Sequence, residues 1–112
     1  MNIVPLDQID FEFFASRVNT KFRVWIDASD SLELTLSEIA PRLVSTTGGA
    51  NRQTYENFAL GFLGPAERLL PQRMYWFESA GLGRFELFIV PVGRDANGVR
   101  YEATFNRLVK PD

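Results

Sequence analysis

Carboxylates are the only side chains present in number that could serve as acids or bases near neutral pH. The 112-residue sequence has 14 aspartates and glutamates but no histidine and no cysteine. These absences remove the usual general base, the commonest metal ligands, the thiolate nucleophile and every Ser-His-Asp arrangement. An enzyme built from this chain would need carboxylates, lysine or tyrosine with strongly shifted pKa values.

The carboxylates are not predicted to form the pairs that acid–base catalysis uses. Glu86 and Glu102 are expected on opposite faces of a hairpin, so they cannot face each other as the two acids of glycoside hydrolases do. Glu33, Glu56 and Glu78 occupy the polar phase of predicted strands, where most such residues are solvated or form ion pairs. The sequence therefore predicts no catalytic residue, no cofactor and no metal site, and we expect a protein that is not an enzyme.

Arginine and tryptophan are the side chains best suited to form a binding surface. Ten of the 12 basic residues are arginines, whose planar guanidinium makes bidentate contacts and stacks on aromatic rings. Arg23 lies close to Trp25 in the sequence, and Arg73 lies close to Trp76. We predict that these four residues form an interaction surface. A GC-rich genome would also explain the arginines, and packing in the core or at a barrel end would also explain the tryptophans.

Charge and hydropathy exclude two classes of partner. The net charge of −2 lacks the basic excess of nucleic-acid-binding proteins, and no apolar run is long enough to span a membrane. The first ten residues have neither a basic n-region nor a long apolar h-region, so no secretory signal is predicted. We expect synthesis in the cytoplasm, with later incorporation into an exported particle left open. The expected partner is a protein, either a second copy of the chain or a component of a larger assembly.

One short helix is predicted over residues 8–17. Asp7 or Asp10 can cap its N-terminus, and Phe11 and Phe14 recur at helical spacing. We expect this helix to cover the open face or end of a sheet.

Alternation of polar and apolar residues predicts six short strands in a single domain over residues 1–112. Four lie near residues 20–27, 31–39, 55–63 and 72–78, and two more form a hairpin over residues 84–106. Short strands with turn signals between them are typical of a small antiparallel barrel or sandwich, which also hides the sheet edges. The predicted class is all-β with one short N-terminal helix, and both kinds of closure stay open.

The hairpin over residues 84–106 is predicted to organise the core. The run Asp-Ala-Asn-Gly at residues 95–98 is a strong signal for chain reversal. With Arg94 opposite Val99, one apolar face carries the opposed pairs Val92–Tyr101, Val90–Ala103 and Phe88–Phe105. We therefore expect the centre of the core to contain Phe88, Val90, Tyr101 and Phe105.

Residues 45–54 have no apolar side chain beyond alanine, and they are predicted to form the most mobile internal loop. Gly48-Gly49 lacks the following lysine and Ser/Thr of a phosphate-binding loop, so no such function is assigned to it.

Several stretches resemble a family of small bacterial domains of unknown function. The specific part is the closing motif, formed by Leu82-Gly83, the run Leu-Phe-Ile-Val-Pro-Val-Gly at residues 87–93 and the run Tyr-Glu-Ala-Thr-Phe-Asn at residues 101–106. Weaker matches are Phe22, the Phe-x-Leu-x-Phe strand at residues 58–62 and the Gln-x-x-Tyr strand at residues 72–75. The resemblance covers about residues 10–107, and residues 76–79 depart from the more polar strand end typical of that family.

The resemblance implies at most an accessory structural role, because the genes for such domains can lie near those for phage-tail-like fibre proteins. It transfers no catalytic residue, and it marks Pro91, Tyr101, Phe105 and Asn106 only as positions that define the fold. Three functions remain in consideration: a structural or protein-interaction module, a small-ligand-binding β-barrel, and an enzyme that uses carboxylates alone. We expect the first. A closed apolar pocket with convergent polar groups would favour the second, and a close pair of buried carboxylates would favour the third.

Overall fold

The fold is a closed antiparallel β-barrel with one short helix and one additional strand. The computed structural model describes residues 3–5, 9–40, 43–48 and 53–109. Its elements are α1 (Phe11–Ala15), β1 (Lys21–Trp25), β2 (Ser31–Ile39), β3 (Leu43–Thr47), β4 (Gln53–Gly64), β5 (Arg73–Ser79), β6 (Gly83–Asp95) and β7 (Gly98–Val109). The predicted all-β class with a single short helix is confirmed, and the closure is that of a barrel rather than a sandwich.

Six strands form the closed ring, in the order β2-β1-β5-β6-β7-β4. The ring closes where β2 pairs with β4, from Thr35 opposite Leu63 to Ile39 opposite Leu60. The additional strand β3 pairs with the N-terminal half of β4, from Leu43 opposite Asn57 onward. Since β3 lies outside the ring, it forms a three-stranded extension with the adjoining ends of β4 and β7. The molecule is correspondingly elongated, with extents of 52 × 33 × 24 Å.

Inward-facing side chains from the six strands fill the barrel as one buried cluster. The ring of Phe22 lies 5.8 Å from that of Phe62, and the ring of Phe77 lies 5.3 Å from Phe62 and 5.8 Å from Phe85. The members at 1% exposure or less are Ile9, Phe14, Phe22, Val24, Leu34, Leu36, Leu60, Phe62, Phe77, Phe85, Ile89, Val99, Tyr101 and Ala103. A six-stranded barrel is narrow enough for side chains of this size to occupy its interior.

The helix α1 covers one end of the barrel, as predicted. The carboxylate of Asp10 caps it by accepting from Phe13 N at 3.0 Å. Phe14 is fully buried, with its ring 5.3 Å from Phe105 and 6.1 Å from Phe85. The helix is shorter than the predicted 8–17: it begins directly after its cap Asp10, and turns that include Asn19, with a φ of 71°, follow Ala15. Residue 8 lies outside the described residues.

The hairpin register was predicted correctly only near the turn. Arg94 lies opposite Val99 as expected, but a β-bulge between Pro91 and Gly93 adds one residue to β6. Beyond the bulge, Pro91 lies opposite Tyr101, and every β6 residue changes face relative to the prediction.

The predicted core is therefore half wrong. Tyr101 and Phe105 are buried, whereas Phe88 is 45% exposed and Val90 is only partly buried on the outer face. The inward positions of β6 are instead Phe85, Leu87 and Ile89.

Two residues favour a bulge at this place. Pro91 has no N–H to donate to the ladder, so proline within a sheet favours edges and bulges. Gly93 is covered by the guanidinium of Arg100, and a Cβ at this position would lie 2.8 Å from Arg100 Nη2. The sequence places both residues next to Val92, the extra residue of the bulge.

The loop predicted over residues 45–54 is wrong at both ends. Residues 45–47 belong to β3, and residues 53 and 54 belong to β4. Thr46 and Thr54 are opposed across these strands, with 3.2 Å between their hydroxyl oxygens. Threonine is a good strand former despite its polarity, which is why a polar run could pair. Residues 49–52 lie outside the described residues, and the expected mobility stays a prediction.

Candidate functional site

Three of the four residues predicted to form an interaction surface lie together on the outside of the barrel. Trp25 on β1 is opposite Trp76 on β5, and Arg23 is opposite Glu78. Directly opposed residues in antiparallel strands have Cβ atoms about 4.5–5.5 Å apart, so these side chains are immediate neighbours. They face outward because the residues that alternate with them fill the core.

Trp25 is held in place by a charged residue on the adjacent strand β5 and another on β6, the next strand of the sheet. Its Nε1 donates to Glu78 Oε1 at 3.1 Å, and the guanidinium carbon of Arg84 on β6 lies 4.6 Å from the centroid of its ring. Arg84 Nε also lies 3.6 Å from Glu78 Oε1. Glu78 therefore neutralises the guanidinium and fixes the indole at the same time. We call Arg23, Trp25, Trp76, Glu78 and Arg84 the tryptophan face.

Both tryptophans keep part of their surface in solvent. Trp25 and Trp76 are partly buried, and Arg23 is exposed while its Nη1 donates to Ser31 Oγ at 2.9 Å. Among the described residues, the indole N–H of Trp76 has no hydrogen-bond partner. Trp76 can therefore offer both a large apolar ring and a donor to a bound molecule.

Arg73 is not part of this surface. It begins β5 in the inward phase, two residues before the buried Tyr75, whose ring centroid lies 4.6 Å from its guanidinium carbon. Arg73 Nη2 donates to the carbonyl of Ile26 at 2.8 Å. Because side chains alternate along a strand, Arg73 and Trp76 point to opposite faces, and Arg73 lies at an end of the barrel instead.

The sequence reasoning missed two other parts of this surface. Arg84 was not considered, although its position one residue before the buried Phe85 would have placed it outside once the phase of β6 was known. Met74 and Phe88 are opposed on the outer face beside Trp76, and they are 50% and 45% exposed. Phe88 was missed because the bulge was not foreseen.

The predicted separation of Glu86 and Glu102 onto opposite faces is wrong. Both are exposed on the outside of the barrel, since the bulge reverses the phase of β6. Glu86 is opposite Trp76, whereas Glu102 is opposite Val90, four residues further along β6. At about 3.3 Å per residue the two positions are roughly 13 Å apart along the sheet, beyond the spacing of a glycosidase pair.

Glu56 is the carboxylate that departs most from the solvated state expected for it. It is 5% exposed, because it shares the inward-facing phase of β4 with Phe58 and Leu60 and not the outward phase expected for it. Glu78 agrees with the expectation of a solvated or ion-paired residue, because it forms an ion pair at the rim with Arg84.

None of the pKa shifts of the described residues yields a group suited to act as a general acid or base near neutral pH. Hydrogen bonds from arginine side chains hold the pKa of Asp30 and that of Asp95 below the usual range. Burial raises the pKa of Tyr75 and that of Tyr101. Each shift favours the form already present at neutral pH, whereas a general acid or base needs a pKa close to the working pH. The described residues include no group of three or more acidic side chains suited to hold a metal.

Residues 9–105 match a family described as a domain of unknown function, DUF6916. No curated protein and no solved structure matched the chain. In the part of the chain that the structure describes, no helix has the length and hydropathy needed to cross a bilayer.

Proposed function

Because the chain belongs to the DUF6916 family, whose function is unknown, we propose from its own geometry that it is a non-catalytic module that binds another protein through the tryptophan face. The observation that carries the proposal is the pair of opposed, partly exposed tryptophans, one of them fixed by Glu78 and Arg84. Tryptophan and arginine are the residues most enriched among the energetic centres of protein interfaces.

The geometry favours this face over the rest of the surface because its largest side chain is already ordered. The Nε1 hydrogen bond and the stacked guanidinium restrict the rotamer of Trp25 before any partner arrives. Immobilising a freely rotating side chain on binding costs about 0.5–1.5 kcal/mol in conformational entropy. The cost for Trp25 is smaller, because its rotamer is already restricted. The adjoining Met74 and Phe88 enlarge the apolar area that a partner would cover.

Two features favour a protein-binding module over a ligand-binding barrel and over an enzyme. The barrel interior is occupied by aromatic and aliphatic side chains, which favours an external surface over a ligand held in the lumen. The carboxylates of Glu86 and Glu102 are exposed and well separated, which favours a module without catalysis.

The resemblance of the closing strands supplies the setting of the proposal. It implies a bacterial protein, and we propose that the protein is made in the cytoplasm and acts as an accessory of a phage-like or tail-fibre assembly. The partner would then be another structural component of that assembly.

The test begins with affinity capture from the native host and identification of the captured protein by mass. The purified partner is then titrated against Trp76→Ala, Arg23→Glu and wild type. We expect each variant to weaken binding at least tenfold while the melting temperature changes by only a few degrees, since surface changes rarely cost more than about 0.5 kcal/mol.

Leu69→Ala and the charge reversal Glu67→Arg are the matched controls, because both residues are exposed and lie outside the tryptophan face. They should leave the affinity unchanged. Equal affinity for all variants, or steady turnover in a hydrolase screen that a single Glu→Gln change abolishes, would overturn the proposal.

A further inference from the structure

The strand β3 presents a sheet edge that the rest of the described chain does not cover. One edge pairs with β4 through five opposed residues, from Leu43 opposite Asn57 to Thr47 opposite Gln53. Among the described residues, no strand pairs with the other edge. Each ring strand has a neighbour on both sides for at least part of its length, although residues 103–109 of β7 pair only with β4.

This edge lacks the usual devices that prevent strand addition. Natural edge strands are protected by charged side chains, proline, bulges or a covering element. β3 has the sequence Leu-Val-Ser-Thr-Thr, without charge or proline, and its pairing with β4 is regular throughout. Leu43 and Val44 are 68% and 57% exposed, so an apolar side chain lies in solvent on each face of β3.

The extension behind β3 gives an incoming strand a firm template. Residues 54–57 of β4 pair with β3 on one side and with residues 106–109 of β7 on the other. A strand added to β3 would therefore extend a sheet of three strands instead of pairing with an isolated ribbon, which is only marginally stable in water.

We propose that β3 pairs with β3 of a second copy of this chain, antiparallel and about a two-fold axis at Ser45. Leu43 then lies opposite Thr47 of the second copy, and Val44 lies opposite Thr46. The two three-stranded extensions join into one continuous six-stranded sheet, in the order β7-β4-β3-β3-β4-β7. The contact is isologous, so it closes at the dimer and does not continue into a fibre.

The charge of the strand favours a second copy as the occupant. An isologous contact places a strand against its own sequence, so any net charge on β3 would repel the same charge on its copy. β3 has none, and each opposed pair except the central one combines an aliphatic side chain with a threonine. Two five-residue strands bury less than the roughly 1,000 Å² of a stable interface, so the dimer is weak and forms only at high protein concentration.

Single-cysteine variants test the register directly, because the chain contains no cysteine of its own. Directly opposed Cα atoms in antiparallel strands are about 4.5–5.5 Å apart, within the range of about 4.4–6.8 Å that a disulfide bridges. Ser45→Cys should therefore form a disulfide-linked dimer under mild oxidation. Its rate should exceed that of Thr104→Cys, an exposed position on β7, by at least tenfold.

Thr46→Cys is the matched control on the same strand. In the proposed register the two copies of residue 46 are diagonal neighbours with Cα atoms about 7–8 Å apart, beyond easy disulfide reach. It should cross-link at least several-fold more slowly than Ser45→Cys. Equal rates for all three variants would overturn the register.

Sedimentation equilibrium tests the association without oxidation. Wild type should shift from monomer to dimer between about 10 µM and 1 mM, as its small interface requires. Val44→Lys should abolish that shift, and Thr104→Lys should leave it unchanged, with circular dichroism checking that both variants are folded. A wild type that stays monomeric at 1 mM, or one whose Ser45→Cys variant cross-links no faster than Thr104→Cys, would overturn the proposal.

Discussion

The two strands of the C-terminal hairpin follow different rules, although one turn joins them. β7 alternates regularly from Val99 to Phe105, and each of its inward residues is buried. β6 changes phase at Val92, so its outward positions beyond the bulge include a large apolar residue, Phe88. Phe88 and Phe105 were expected to be opposed in the core, yet the first is 45% exposed and the second 7%.

This difference shows how far a turn signal determines register. The Asp-Ala-Asn-Gly reversal correctly placed Arg94 opposite Val99, since the pairs nearest the turn are set by the turn itself. The one extra residue of the bulge then places every β6 residue further from the turn on the face of the sheet opposite to the predicted one. Through this shift Phe88 lies on the outer surface, so the bulge accounts for an exposed apolar side chain beside the tryptophan face.

The largest expected effect distinguishes the two faces of β6. Phe85→Ala should lower the free energy of unfolding by about 3–5 kcal/mol, because a fully buried ring leaves a cavity that the rigid barrel cannot close. The ring of Phe85 lies 5.8 Å from that of Phe77 and 6.1 Å from that of Phe14, so both would lose a neighbour. Guanidinium denaturation followed by tryptophan fluorescence measures the loss.

Phe88→Ala is the matched control on the same strand. Its ring is about half exposed and covers the outside of the barrel, so its removal should cost less than about 1 kcal/mol. Equal losses of unfolding free energy for the two variants would show that β6 does not change face at Val92 and that it alternates as regularly as β7.

Much of the fold follows from local patterns. The apolar alternation of Phe22 and Val24 and the capping residue Asp10 were sufficient to place β1 and α1, because period and capping are local properties. β3 was missed since its threonines pair as an outer strand, where burial gives no apolar signal. The bulge was missed because Pro91 and Gly93 permit a bulge without requiring one.

The sequence likewise predicted the residue types of the candidate site but not how the strands bring them together. Trp25 and Trp76 were identified by residue type, and their direct opposition depends on the pairing of β1 with β5, which are distant in sequence. The stacking of Arg84 on Trp25 needs β6 in its shifted phase, so it follows only from the full sheet. Arg73 was included on proximity to Trp76 in sequence, although strand alternation places the two side chains on opposite faces.

An intermediate effect tests β7 at the position facing the bulge. Tyr101 lies opposite Pro91, is 1% exposed, and its hydroxyl accepts from Leu70 N at 2.9 Å. Tyr101→Phe should cost about 1–3 kcal/mol, because the buried N–H of Leu70 loses its acceptor without gaining water. Urea denaturation measures this loss.

Tyr55→Phe is the control, because the hydroxyl of Tyr55 bonds to Gln53 at an exposed position, and its loss should cost less than about 0.5 kcal/mol. If Tyr101→Phe is as stable as this control, then β7 is not rigidly held at the bulge.

The smallest expected effect concerns the turn that joins the two strands. Asp95 accepts from the side chain of Arg100 and from Asn97 N, each at 2.8 Å, and these bonds lower the pKa of Asp95 in the folded protein. A carboxylate with a lowered folded pKa contributes stability that is present above its unfolded pKa, about 3.9, and is lost as the pH falls through the folded value.

Asp95→Asn should therefore weaken the acid dependence of stability while keeping the turn, since the amide oxygen can still accept from Asn97 N. The denaturation midpoint of wild type should exceed that of the variant at pH 6, and the gap should close steadily below about pH 4.

Arg100→Gln should reduce this gap between the midpoints in a double-mutant cycle, because the largest cause of the pKa shift is the hydrogen bond from Arg100. Because the group is exposed, the gap at pH 6 should be small and should shrink in 1 M salt. A gap that is constant from pH 6 to pH 2 would mean that the turn holds the register of β6 and β7 without the charge of Asp95.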